Sequence, residues 1–176
     1  MNSSYKRLFI WVEGNDDERF FKNLLKFGFY KKYNFIEIIK YAHMRRDKIV
    51  NFIKSIKSMG ADYIFVTDIN NSPCITAKKE EIKKRFKIID TERVMVVVKE
   101  IEGWYLAGLD HNACKKLKIN NIDNTANITK EKFNALIPKR FSSKIDFMTE
   151  ILKFFSVEIA KYKNKSFEYF ISKYDC

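Results

Sequence analysis

The chain has 176 residues, 46% of them hydrophobic and sixteen of them Phe, which suffices for one substantial core, excludes disorder and leaves two full domains crowded. A net charge of +12 with a pI near 9.5 favours polyanionic partners, nucleic acid first. No apolar run can span a bilayer, only five apolar residues separate Lys6 and Arg7 from Glu13, and Cys74, Cys114 and Cys176 stand in no CxxC spacing, so the sequence predicts a cytoplasmic protein with reduced thiols, no leader and no membrane association.

Residues 8–12, LFIWV, are uniformly apolar and predict a strand covered on both faces. Glu13 and Gly14 turn the chain into a helix over 16–27, with Asn15 and Glu18 placed as N-cap and capping-box partner and Phe20, Phe21, Leu24 and Leu25 as its apolar stripe. Strand 35–39, helix 44–59 and strand 63–67 follow, the helix carrying Val50, Ile53, Ile56 and Met59 at core spacing and stopping at Gly60. A more exposed helix over 76–87 buries Ile82 and Phe86 and sets Glu80 with Lys84 and Glu81 with Arg85 as i,i+4 pairs. Strand 94–98 is the most hydrophobic and is expected at the centre of the sheet. Beyond it the strand signal stops: a helix runs from about 102 to 109, a polar loop covers 120–127, and Thr129 caps a short helix that ends near Pro138. Ser143 caps a longer helix with Ile145, Met148, Ile151, Leu152 and Phe155, and Phe167, Phe170, Ile171 and Tyr174 mark a last one. The order βαβαβαβ predicts an α/β fold: a three-layer Rossmann-like core with a mainly parallel central sheet over 1–110, and a helical carboxyl-terminal part over 111–176 packed on it as one structural domain.

Three of these strands end in acid. Residues 8–12 lead to Glu13, with Asp16 and Asp17 just beyond; 64–67 lead to Asp68 and Asn70; 94–99 lead to Glu100 and Glu102. Carboxyl ends of parallel strands converge, and carboxylates gathered there repel one another unless a cation neutralises them. Oxygen donors of this kind suit Mg²⁺ or Mn²⁺ and not zinc.

The same segments resemble the TOPRIM superfamily, found in topoisomerases, primases and overcoming-lysogenization-defect nucleases. LFIWVEGNDDERFFKNLL is similar to its first motif, a strand followed by EGxxD, through Glu13, Gly14 and Asp17. YIFVTDIN resembles the strand-DxD motif through Asp68, with Asn70 in the second acidic place. KEIEGWYLA is similar to the EhEAW segment of TOPRIM-related, phage-defence-associated families through Glu100, Glu102 and Trp104, although Gly103 stands where alanine is usual, and KNKSFEYFISKY resembles their SxSFxxF ending through Ser166, Phe167 and Phe170. The resemblance implies a TOPRIM core and metal-dependent phosphodiester hydrolysis, with Glu13 as a general base.

On this reading Glu13, Asp68 and Glu102 hold Mg²⁺ or Mn²⁺, Asn70 and Asp17 adjoin the ion, and Asp17 either binds a second ion or caps its helix. Lys99 steadies transition-state charge. Glu100 and Glu102 point the same way only if the strand continues to 102; if a helix begins there, one of them reaches the metal, and Glu102 is preferred. Trp104 and Tyr105 either stack on a base or, more in keeping with Leu106 beside them, belong to the core. Arg45, Arg46 and Lys48, in a basic stretch around the first two helices, are placed to follow a phosphate backbone of DNA or RNA. A partner protein or a homodimer is compatible with the sequence. Two other classes compete: a noncatalytic TOPRIM-like binding module, suggested by Asn70, and a receiver-like domain with Asp16 and Asp17 as its acidic pair and Asp68 as phosphoacceptor, which leaves the Glu13-Gly14 pair unexplained.

Overall fold

The computed structural model describes residues 5–28 and 31–174, so Cys176 lies outside the described residues. These divide after Val96 into two compact units. The first is built on a four-stranded parallel sheet: β1 (Arg7–Val12), β2 (Phe35–Lys40), β3 (Asp62–Asp68) and β4 (Val94–Val97), in the order β2-β1-β3-β4. The α/β class and the parallel sheet are as expected. β4, expected at the centre, is an edge strand, and β1 takes the inner place.

Alternation along the strands assigns the faces. Phe9 and Trp11 of β1, Tyr63 and Phe65 of β3, and Val94 and Val96 of β4 share one core cluster with Ile49, Ile53 and Ile56 of α2 (Arg46–Ser58) and Ile82 and Phe86 of α3 (Ile75–Phe86). Leu8, Ile10 and Val12 alternate onto the other face, and α1 (Asn15–Lys26) supplies buried Phe20, Phe21 and Leu24. The helix α2 stops as its glycine predicts. Gly60 adopts φ +62°, its N–H donates to the Lys57 carbonyl at 3.0 Å, and Ala61 N–H donates to the Ile56 carbonyl at 3.1 Å, the paired bonds of a Schellman end. Met59, expected in the core, is half exposed at that end. In α3 the carboxylate of Glu81 turns back to Lys78 at 3.2 Å and to the Ser72 hydroxyl at 2.8 Å. The exposed Cys74 caps the helix, its Sγ accepting from Ala77 N–H.

The second unit, from Val97, is helical: α4 (Ile101–Ala107), α5 (His111–Leu117), α6 (Lys130–Leu136), α7 (Lys144–Lys153), α8 (Val157–Lys163) and α9 (Lys165–Tyr174). Thr129 and Ser143 cap α6 and α7 as predicted. The short helices α5 and α8 are not predicted by the apolar pattern, although Asp110 and Ser156 cap them by accepting from Ala113 and Ile159 N–H. In α7 the buried stripe is Phe147, Met148 and Ile151, while Ile145 faces solvent.

Trp104 and Tyr105 are fully buried, so neither is available to stack on a base. Trp104 packs between Phe167 and Phe170 with ring centroids at 5.2 and 5.3 Å. Its indole N–H donates to the Ser166 hydroxyl at 2.8 Å, and that hydroxyl donates to Asn164 Oδ1 at 2.8 Å. Asn164 Oδ1 also accepts from the N–H groups of Ser166 and Phe167, which makes Asn164 the cap of α9. Its Nδ2 donates to Thr125 Oγ1 at 3.1 Å. The SxSFxxF segment is thereby a capping and packing motif of this unit.

Gly103 also finds its reason here. A Cβ at this position would lie 2.8 Å from the Thr125 carbonyl oxygen, a backbone atom held by the same network. Gly103→Ala should therefore destabilise the protein by about 1–3 kcal/mol, overcoming the roughly 1 kcal/mol that alanine gains in a helix; urea unfolding measures the sign.

Candidate active site

The strand order sets where a site can form. β2 lies on one side of β1 and β3 on the other, so the winding reverses between β1 and β3, and a crevice opens at their carboxyl ends. Glu13 follows the last residue of β1 and Asp68 is the last of β3. Both are partly buried.

The first helical turn shows why Glu13 differs from the acids around it. Gly14, and not Asn15, is the N-cap of α1, and its N–H donates to Asp17 Oδ2 at 3.0 Å. Asp17, buried, thus takes the capping-box place expected of Glu18. Asp16 pairs with Arg19 at 2.8 Å. Glu18 pairs with Lys22 at 2.7 Å and Lys40 at 2.9 Å, and these two ammonium groups hold its carboxyl below the usual range. Among the described residues, Glu13 is the only acid of this run whose carboxylate neither accepts a hydrogen bond nor forms an ion pair.

Tyr41 ties this edge together. Its N–H donates to the Val12 carbonyl at 3.0 Å, Ala42 N–H donates to the Glu13 carbonyl at 3.2 Å, and the phenol donates to the Val66 carbonyl at 2.9 Å. The ends of β2, β1 and β3 are joined by this one residue. Burial pushes the Tyr41 hydroxyl far above the ordinary tyrosine range, and the nearby carboxylates of Glu13, Asp17 and Asp68 raise it further. No sequence motif marks Tyr41; its alternation with buried Ile39 at the close of β2 is the one signal the sequence carries for it.

The remaining residues are placed differently. Asn70 is exposed at φ 49°, a left-handed conformation that asparagine tolerates better than most side chains, so its amide has a local backbone reason. Lys99 is exposed at φ 63° and breaks the strand, so β4 ends at Val97 and does not continue to 102. Glu100 is the N-cap of α4 and accepts from Lys130 N–H at the start of α6. Glu102, in the first turn of α4, is 2% exposed and forms an ion pair with Lys144 of α7 at 2.6 Å. Both glutamates are engaged within the helical unit. Arg45, Arg46 and Lys48 are exposed at the start of α2, with the Arg45 guanidinium on Asp47 at 3.1 Å.

Among the described residues no group of three or more His, Cys, Asp and Glu side chains is arranged to share a metal ion. The donors offered at the β1–β3 edge are the carboxylates of Glu13 and Asp68, with one oxygen of Asp17 occupied by Gly14. Two hard carboxylates fit Mg²⁺, which keeps waters and completes its shell from substrate phosphate; they do not form an all-protein cage.

Two predictions follow from these partners. Lys144→Met should strand a buried carboxylate and cost about 3–5 kcal/mol, and adding Glu102→Gln should restore most of it; urea unfolding of the single and double variants measures both. A phenol whose pKa is higher folded than unfolded stabilises the fold below the unfolded value near 10 and loses that contribution as the pH rises further. Tyr41→Phe should accordingly cost about 1–3 kcal/mol at neutral pH by leaving the Val66 carbonyl without its donor, and the gap to wild type should narrow above pH ~10. Tyr63, pushed up to about 12 chiefly by burial, continues to contribute in both proteins.

Among the described residues no helix is long and apolar enough to cross a membrane. Compared with protein-family models, with curated proteins and with solved structures, the chain matches none.

Proposed function

We propose that this protein is a Mg²⁺- or Mn²⁺-dependent nuclease of TOPRIM type, hydrolysing phosphodiester bonds at the β1–β3 edge. The observation that carries the reading is Glu13: four acids follow β1, three are spent on the helix start and its neighbouring cations, and Glu13 remains beside Asp68 where the sheet changes direction. Glu13 and Asp68 would hold the ion, which when bound polarises a phosphate oxygen and lowers the pKa of a water. Asp17 fixes the turn that carries Glu13. Tyr41, kept neutral, sets the spacing of the strand ends without adding charge. Arg45, Arg46 and Lys48 supply cations for a nucleic-acid backbone. The motif resemblance and the charge of +12 support the same class of substrate. A role in phage defence rests on the motif resemblance alone.

A noncatalytic nucleic-acid-binding module is the second reading, favoured by the engagement of Glu102 with Lys144 and by Asn70 in the second acidic place.

Millimolar Mn²⁺ or Mg²⁺ should raise the melting temperature, with about 1.4 kcal/mol of stabilisation at ten times the dissociation constant. Glu13→Ala and Asp68→Ala should each abolish that shift and reduce cleavage of labelled DNA or RNA at least ~100-fold with the fold intact. A metal-dependent shift without cleavage of any nucleic acid would favour the binding module, and indifference of the wild type to both ions would remove the metal site.

A further inference from the structure

The opposite edge of the sheet carries a second feature that the carboxylate site does not use. β1 and β3 begin side by side, Leu8 opposite Asp62, and the segments leading into them surround a cavity of about 430 Å³. An adjoining cavity of about 260 Å³ shares Tyr5, Arg7, Met59 and Gly60 with it. The Schellman turn at Gly60 shapes this wall, and a Cβ there would meet nothing within 4 Å.

Three cations line the larger cavity: Lys6, Arg7 and Lys32. Among the described residues none of them has a carboxylate partner. The acid in the wall, Asp62, is already engaged by Arg93 at 2.9 Å and by the Tyr33 hydroxyl at 2.8 Å. The cavity is therefore positive. Its aromatic members accompany those cations: the Arg7 guanidinium lies 5.4 Å from the Tyr5 ring centroid, and the Lys32 ammonium lies 5.5 Å from that of Tyr33. Tyr5 is 62% exposed, with a ring open to a further partner.

The geometry points to a binding site for single-stranded nucleic acid, in which a base stacks on Tyr5 and the adjoining phosphates meet Lys6, Arg7 and Lys32. Aromatic faces beside cations without carboxylate partners are the two elements by which proteins hold a single strand, the ring taking any base and the cations following the backbone. A duplex offers the phosphates but keeps its bases stacked on one another. An acidic peptide would answer the charge and leave the Tyr5 ring uncovered. The length of β1 separates this edge from Glu13 by about 20 Å, so the inference is independent of the metal reading.

The test is fluorescence anisotropy of the full chain with a labelled oligothymidylate of roughly 4–16 nucleotides, the range one such site covers, in EDTA to prevent cleavage. Tyr5→Ala should weaken binding about tenfold and Tyr5→Phe should not, since one stacked base contributes that much. Lys6→Gln and Lys32→Gln should each reduce the slope of log affinity against log salt by about 0.7. Because Tyr5, Lys6 and Lys32 are exposed, unchanged melting curves confirm folded variants. Wild-type affinity in Tyr5→Ala would overturn the proposal, as would equal competition by duplex DNA, by thymidine monophosphate or by a polyglutamate peptide.

Discussion

Reversal of the winding between β1 and β3 is the constraint on which the first unit depends. A right-handed crossover from β1 to β2 puts α1 on one face of the sheet, and the crossovers to β3 and β4 run the other way and put α2 and α3 on the opposite face. The helices diverge where the direction changes, so the chain segments leaving β1 and β3 are not covered by a common helix. Glu13 and Asp68 stand there because the one follows β1 directly and the other is the last residue of β3. Tyr41 ties the two strand ends together through the Val12 and Val66 carbonyls, and the cost of burying its hydroxyl is met by the Val66 carbonyl. A short polar run thus acquires a defined geometry from the sheet beneath it.

The helical unit uses its polar residues differently. Asn164, Ser166, Thr125 and the Trp104 indole form one buried network in which each group has a partner. In a low-dielectric interior a partly satisfied network of this kind is costly, whereas a complete one favours a single arrangement of the surrounding rings. Glu102 and Lys144 extend the same logic to charge, since a buried carboxylate persists as an ion only with a cation and good geometry. Residues that read in sequence as candidates for chemistry, Glu102 and Trp104 among them, are here the means by which short helices hold together. None of α4, α5, α6 and α8 exceeds seven residues, so their stability comes from packing and caps more than from propensity.

Charge adds a further layer. The excess of lysine and arginine is spread over both units, and several of the ion pairs are exposed pairs within one helix, which contribute little to stability. The basic excess is therefore a property of the surface, and Arg45, Arg46 and Lys48 are separate in sequence and element from the cations around Tyr5.

The sequence by itself determined the parallel α/β core, because largely apolar five-residue runs separated by helical periodicity admit few other arrangements. It also determined the end of α2 at Gly60 and the caps at Thr129 and Ser143, since these depend on local backbone chemistry. Only the tertiary structure decided which acids are engaged. Asp17, Glu100 and Glu102 look equivalent to Glu13 in a list of residues, and what distinguishes them is a partner brought close by folding: Gly14 N–H within the turn, Lys130 N–H from α6 and Lys144 from α7. Tyr41, marked in the sequence only by its alternation with Ile39, gains its place from the pairing of β2 with β1 and the proximity of β3. Sequence periodicity encodes which face a residue takes, whereas the partner it meets there is a long-range fact that no local pattern carries.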